Sequence, residues 1–281
     1  MSPVSPSPTA PGARAAPDLA DLAPPAGWRW WPVFESWWVQ YRRVWIGSVF
    51  GRFLMPVLFL ASMGLGLGSL VDRSSGGVGG VSYLHYVVPG ILAAQAMWTA
   101  MGESTYPVFG AIKWDYKYHA MLATPLSVRD VLIGHIGYVV VQTTFASVAF
   151  LAVGTAFGSW VSWWAVATLV PTTLTGLAFT TACFAFVATQ ESESSFSILF
   201  RFVMTPLFLF SGVFFPIDQL PIAIRWVAWV MPLWHGVDAD RQLALGSPDW
   251  TVVGGHTAYL LFVCGLCAWL AHRALTKRMV V

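Results

Sequence analysis

VLIGHIGYVV VQTTFASVAF LAVGTAFGSW VSWWAVATLV PTTLTGLAFT TACFAFVATQ, residues 131–190, runs for sixty residues without one Asp, Glu, Lys or Arg. Crossing the hydrocarbon of a bilayer takes roughly 20 apolar residues in a helix. This run therefore holds two helices, and Gly158-Ser159 is where the chain is predicted to turn between them. Working outward, charge-free runs recur at 53–71, 83–102, 202–217 and 251–271. Hydrophobic residues make up 57% of the chain and charged residues only 10%, a balance that would leave a soluble domain without a polar skin. The expected fold is an all-α membrane protein with six transmembrane helices.

An up-and-down path of six helices puts both termini in one compartment, with the loops around 113–129 and 190–195. Twelve of the 15 Lys and Arg then share that side, against Arg73, Arg225 and Arg241 opposite. The positive-inside rule makes that side the cytoplasm, so the protein is expected in the plasma (inner) membrane with cytoplasmic N- and C-termini. The net charge of +2 carries little, because the information lies in the asymmetry.

Residues 1–26 are rich in Pro, Ala and Ser with no apolar core and read as a disordered cytoplasmic tail; the layout of a secretory signal is missing there. Residues 27–50 differ. On a helical wheel Trp30, Trp31, Phe34, Trp37, Trp38, Tyr41, Val44 and Trp45 fill one arc, and Glu35, Ser36, Gln40, Arg42 and Arg43 the opposite one. A helix with Trp on one face and basic residues on the other suits the headgroup layer, so an N-terminal amphipathic interfacial helix is expected. The six-helix domain covers 51–275, and 276–281 form a second cytoplasmic tail.

No phosphate-cradling Gly-Lys-Ser/Thr loop is present: Lys113, Lys117 and Lys277 follow Ile, Tyr and Thr. ATP hydrolysis by that route is excluded for this chain. Ion-driven carriers bury several ionisable groups near the midplane, whereas here the interiors of the runs hold almost none. Glu103 falls near the cytoplasmic end of the second span, with packing, function or simple solvation all open to it. Arg201 lies about one turn into the fifth, within snorkelling reach of the surface.

Between the fifth and sixth spans, residues 213–250 carry Pro216, Pro221, Pro232 and Pro248, with two apolar runs too short to cross. Broken backbone at membrane depth is tolerated where protein or a wet cavity satisfies it, so an extracellular re-entrant half-helix pair is expected over 220–231. Asp218, His235, Asp238 and Arg241 form a candidate polar cluster there; their spacing matches no metal-ligand pattern. Cys264-Gly-Leu-Cys267 has redox spacing but lies inside a span, where packing is the better reading. Gly64 and Gly68 make a Gly-x-x-x-Gly pair, either a helix contact or a loosened helix end. No hydrolytic triad presents itself, and nothing points to nucleic acid.

Two segments carry a family resemblance. The first is YLHYVVPGIL (83–92), EST-Tyr106 (103–106) and AMLATPL (120–126); the second is FSGVFFPIDQLP (210–221) with PLWH (232–235). Together they resemble the permease subunits of type-2 ATP-binding-cassette exporters, in the branch holding the nodulation-factor and daunorubicin-resistance permeases. The resemblance covers about residues 30–275.

It implies a permease that dimerises with a second copy, identical or different. Two separately made ATPase subunits would bind the ATP and Mg, with no cofactor in this chain. It further implies that the loop helix at about 113–123 docks into the ATPase through Trp114, Tyr116, Tyr118 and Met121, the alternative being that these residues anchor the loop at the headgroups. The amphipathic segment becomes the family's connecting helix. The second and fifth spans line the substrate path, here with Met97, Trp98, Met101, Phe202, Met204, Phe208 and Phe210. Apolar walls of that kind favour an amphiphilic cargo such as a drug, lipid or lipid-linked glycan. Two rivals stand beside this reading: an ion-coupled secondary transporter, whose transport would survive loss of any ATPase, and a structural subunit that transports nothing.

Overall fold

The computed structural model describes residues 25–279; nearly all of the expected N-terminal tail and the last two residues of the C-terminal one lie outside them. The described chain is almost wholly helical, without a strand and with a single isolated bridge between Val78 and Val81.

α1 (Trp30–Tyr41) and α2 (Trp45–Ala61) replace the single interfacial helix expected over 27–50. A turn at 42–44, with Val44 (φ −121°, ψ 8°) as the N-cap of α2, separates the two helices, so Trp45 to Phe50 already belong to the membrane-entering element. α2 continues through a π-helical turn at Ser62–Gly68 into α3 (Ser69–Ser75). That turn contains Gly64, Gly66 and Gly68, the loosened-helix reading of the glycine pair, as poor helix formers permit a wider coil. Gly76 at φ +70° closes α3.

Asp72 then accepts a hydrogen bond from the Tyr83 backbone N–H at 2.8 Å, which supplies a cap for α4 (Tyr83–Ser104). α4 is the buried centre of the bundle and packs on α7, α8 and α12. Thr105 (φ −90°, ψ −87°) kinks the chain into α5 (Tyr106–Lys113), and α6 (Lys117–Leu122) follows after a short turn. α7 (Val128–Ala156) starts with a capping box between Ser127 and Asp130. It ends beside Gly158, whose φ of +65° makes the turn predicted at Gly158-Ser159. A 3-10 segment at Trp163–Thr168 leads into α8 (Leu169–Val187).

The fifth apolar run forms one helix, Ser194–Phe210, built from α9 (Ser194–Ile198), a π-helical turn and α10 (Thr205–Phe210). α11 (Ile222–Val230) and α12 (Pro232–Ala244) follow, and α13 (Trp250–Met279) closes the chain. At 9 and 13 residues neither α11 nor α12 reaches the roughly 20 residues needed to cross. The half-helix pair thus extends over Ile222–Ala244 rather than ending at 231. Pro232 lacks the N–H that would continue α11 and instead starts α12.

Four helices are long and apolar enough to cross a membrane by length and composition: Pro56–Ser75, Val128–Ala156, Trp163–Val187 and Trp250–Met279. Tyr83–Ser104 and the shorter apolar helix Ser194–Phe210 lie where the other two spans were expected, and neither is among these four.

α1 is partly covered by protein. Gly134 lets it approach, since a Cβ there would sit 2.5 Å from the Trp30 carbonyl oxygen and 2.6 Å from Val33 Cβ. Val33 is fully buried and Trp37 nearly so, while Trp31 and Trp38 remain exposed. The aromatic arc therefore divides: Trp37 packs inward on α7, Phe34 and Tyr41 are partly covered by the core, and Trp31 and Trp38 face outward.

Candidate coupling loop and translocation surface

The 113–123 loop is shorter in helix and more interlocked than the sequence suggests. Trp114 and Asp115 both donate their backbone N–H to the Gly110 carbonyl at 2.9 Å, folding the Trp114 ring back against Gly110 and edge-on to Phe109. Tyr116 takes the left-handed conformation (φ +50°), uncommon for a bulky side chain, and so separates α5 from the six-residue α6. The helix expected over 113–123 is thus confined to Lys117–Leu122, because no residue of Trp114-Asp-Tyr116 continues the coil.

Two of the four expected docking residues project outward, Trp114 at 53% exposure and Tyr116 at 60%, and Met121 is half-buried. Tyr118 contradicts the expectation, because it is completely buried. Its hydroxyl is hydrogen-bonded to His135 Nδ1 of α7 at 2.6 Å, and burial pushes its phenol well above the ordinary pKa. His135 stacks on Trp37 of α1 at 3.8 Å and meets Phe184 of α8 edge-on at 5.0 Å. Lys117 Nζ sits 3.5 Å above the Trp37 ring and 3.4 Å from Gln40 Oε1. Burial lowers that ammonium's pKa to about 8, with Asp115 pulling the other way. One imidazole thus ties the loop, α1 and two long helices together.

Charges complete the end of the bundle that carries this loop. Lys113 donates to Glu191 at 2.5 Å, which holds that carboxyl below its usual range. Arg278 Nη1 donates to the carbonyls of Val187, Ala188 and Gln190 at 3.2, 2.9 and 2.7 Å, satisfying the open C-terminal end of α8. Glu191 also lies 3.8 Å from Arg278, so the 188–193 loop is held from both sides.

The residues expected along the substrate path separate into two groups. Met97, Met101 and Met204 are at most 4% exposed and pack inside the bundle, so they line no path within this chain. Trp98 stacks on Phe200 at 6.2 Å and meets Phe208 edge-on at 6.1 Å, bordering a cavity of about 170 Å³ between α2, α4, α7 and α10. Phe202 and Phe210 are exposed, at 73% and 36%, and line a groove of about 470 Å³ between the fifth helix and α11. Periodicity could not make this division, because a bundle interior and a lipid-facing or partner-facing wall accept the same side chains.

The polar cluster divides too. Asp218 is exposed and pairs with Arg225, which also donates to the Asp218 carbonyl. Arg241 donates to the carbonyls of Tyr86 at 3.2 Å and Gly212 at 2.7 Å, with its guanidinium 3.9 Å over the Tyr86 ring. It thereby pins α12 to α4 and to the Ser211-Gly212 turn. Glu103 is half-buried in the last turn of α4, about 25 Å along the helix from Tyr86, and does not join the others.

His235 and Asp238 are connected through His256 of α13, which the sequence reading missed. His256 Nε2 lies 3.0 Å from Asp238 Oδ2, and the two Nδ1 atoms of His235 and His256 face each other at 2.8 Å. His235 Nε2 lies 2.8 Å from the Trp229 carbonyl. These contacts join Asp238, His256, His235 and the Trp229 carbonyl into one polar chain across α11, α12 and α13. Asp240, also missed, is fully buried and accepts from Thr172 Oγ1 at 2.6 Å. Among the described residues no group of three or more His, Cys, Asp or Glu is arranged to hold a metal ion.

The family model for ABC-2 type transporters matches residues 31–245, which contain the whole bundle up to α12. The chain belongs to the ABC-2 type transporter family. Nodulation protein J of Rhizobium leguminosarum bv. trifolii is 30% identical over 264 residues, covering 92% of this chain and 99% of that protein. Nodulation protein J of Rhizobium meliloti (strain 1021) is 29% identical over 258 residues, 92% and 96% of the two chains. The inner membrane transport permease YadH of Escherichia coli (strain K12) is 24% identical over 243 residues, 83% and 91%.

This ABC-2 permease is a membrane-embedded transport subunit of an ATP-binding-cassette exporter, in the nodulation protein J branch, and it works with an ATPase subunit. The resemblance read from residues 83–126 and 210–235 is thereby borne out.

Proposed function

We propose that this permease moves an amphiphilic molecule, such as a drug, lipid or lipid-linked glycan, outward across the plasma membrane. Two copies of the permease, or one copy and a related chain, would frame the path, and two ATPase subunits would bind the ATP and Mg. Both termini would be cytoplasmic. The observation that carries the cargo class is the groove at Phe202 and Phe210: about 470 Å³ of almost wholly apolar wall left open on the fifth helix. Such a wall solvates an acyl chain or aromatic ring and offers a small ion nothing.

Force would enter at Trp114 and Tyr116, the exposed aromatics of the loop, as interfaces favour such residues. Closure of the ATPase pair would push the loop, and Tyr118, buried in the bundle, would hand the movement to α7 through His135 and to α1 through the stacked Trp37. A well-packed interior transmits such a displacement because it does not compress. Arg241, fixing α12 to α4 at the far end, would make the half-helix pair follow α4.

Co-reconstitution tests this. Vesicles holding the permease and its ATPase should accumulate a fluorescent amphiphile when given ATP and Mg, and permease alone should not. Accumulation driven by an ion gradient in the absence of ATPase would establish the ion-coupled alternative. Tight ATPase binding with no transport of any amphiphile would favour a structural subunit.

A further inference from the structure

The elbow between α1 and α2 faces α7 across a cleft of about 640 Å³, within the range of roughly 300–1,000 Å³ typical of ligand sites. Trp38 and Arg42 stand on one side, Trp45 at the bend, and Val141, Gln142 and Phe145 form the α7 wall. None of these residues borders the cavity at Trp98 or the groove at Phe202, so the cleft is separate from the proposed path.

Its depth follows from the packing of three helices. A Cβ on Gly176 would lie 2.6 Å from Thr143 Cγ2 and 3.6 Å from the Ala96 carbonyl oxygen, which sets Thr143 of α7 level with Ala96 of α4. Ala96 is about 20 Å along α4 from its outer end at Tyr83, in a hydrocarbon layer of about 30 Å. Under the orientation proposed above, the α7 wall lies roughly 10 Å inside the cytoplasmic boundary. That is the depth of the upper acyl chain, with headgroups just below.

The chemistry of the cleft changes across that boundary. Val141, Phe145 and Trp45 are apolar and 40–50% exposed. Arg42 and its neighbour Arg43 are exposed, and among the described residues neither forms an ion pair. Trp38 flanks the arginine with an indole, the side chain suited to the headgroup layer.

We propose that this cleft binds one anionic phospholipid of the cytoplasmic leaflet, its phosphate against Arg42 and one acyl chain along Trp45, Val141 and Phe145. The lipid is a resident of the elbow rather than cargo, and it steadies the angle between α1, which bears Trp37, and α2. A zwitterionic lipid carries the same chains and phosphate without net charge, so the excess positive charge of Arg42 and Arg43 selects the anionic one.

Native mass spectrometry of the detergent-purified permease, titrated with phosphatidylglycerol or phosphatidylcholine, tests this. One phosphatidylglycerol should be retained per chain, with phosphatidylcholine held about fivefold more weakly, the ratio that one extra surface charge contact supplies. Arg42→Gln should abolish that preference, and Val141→Trp should fill the cleft and reduce retention of both lipids, each variant eluting as wild type on size exclusion. Arg42 is exposed at a turn, so its replacement remains decisive if Val141→Trp fails to fold. Equal retention of the two lipids, or an unchanged preference in Arg42→Gln, would overturn the proposal. In vesicles with ATPase and ATP the lipid should stay bound through turnover. Its depletion would identify it as cargo and overturn the resident assignment while leaving the exporter reading intact.

Discussion

Tyr118 of α6 and His135 of α7 form a 2.6 Å hydrogen bond in a site closed to solvent. The imidazole also meets three aromatic rings, those of Trp37, Tyr138 and Phe184. The loop is therefore anchored inside the bundle by one polar contact in an apolar shell, where a lost hydrogen bond costs more than at a surface.

Tyr118→Phe keeps the ring and removes that contact. The variant should insert normally yet lose about 1–3 kcal/mol of stability, the usual cost of leaving a buried polar group unpaired. ATP hydrolysed per molecule transported should rise, because the loop grips α7 less firmly. Thermal unfolding in detergent and paired hydrolysis and transport assays check both parts; unchanged values would show that the bond neither holds nor couples.

Trp114→Asp with Tyr116→Asp changes only exposed side chains. Stability should fall by about 1 kcal/mol, since the Trp114 ring also packs edge-on against Phe109, while affinity for the ATPase subunit falls at least tenfold. Surface plasmon resonance with the immobilised permease measures this, and wild-type affinity would place docking elsewhere. Tyr118→Asp is unsuitable as a docking probe, since it would bury a charge.

Lys117 offers a pH-dependent handle. Burial brings its pKa down to about 8, so the nucleophilic amine is present from that pH upward instead of only near the ordinary lysine value. Acylation of Lys117 by a water-soluble ester, followed by peptide mass spectrometry, should reach half its maximal rate near pH 8. The folded state disfavours the charged form, so stability should rise with pH between about 8 and 10.5. A labelling midpoint above 10 would show that the Trp37 face and Asp115 outweigh burial.

At the other end, Asp238→Asn replaces the carboxylate that meets His256, the ring that in turn meets His235. The variant should unfold at a lower temperature, by the equivalent of about 1–3 kcal/mol, and His256→Ala should show strong non-additivity with it. A double-mutant cycle of thermal unfolding measures that coupling. Strict additivity would mean that the three groups act independently.

The spans were legible because lipid imposes a simple rule on composition, and two of the breaks because Gly158 and Pro232 have backbone limits that no packing overrides. The burial of Tyr118 was not legible. Lipid, a partner protein and the protein interior all favour aromatics, and the Lys113 to Ala123 stretch contains too few residues to reveal which face is covered. His256 was hidden for a different reason: it sits within an apolar run, 18 positions from the Asp238 it meets, and only the packing of α12 on α13 joins them. Met97 and Met101 were assigned to the path by their helix, and rotation of that helix about its axis turns them into the core. The difference between half-buried Asp238 and fully buried Asp240, two positions apart, likewise depends on the face α12 presents to α8, where Thr172 waits.

The central claim is that this chain supplies the pathway and another subunit supplies the energy. Uptake of a fluorescent amphiphile into inside-out vesicles containing the permease, with and without its ATPase, measures that claim most directly. ATP-dependent accumulation only when both are present is the expected result; accumulation by the permease alone would contradict it.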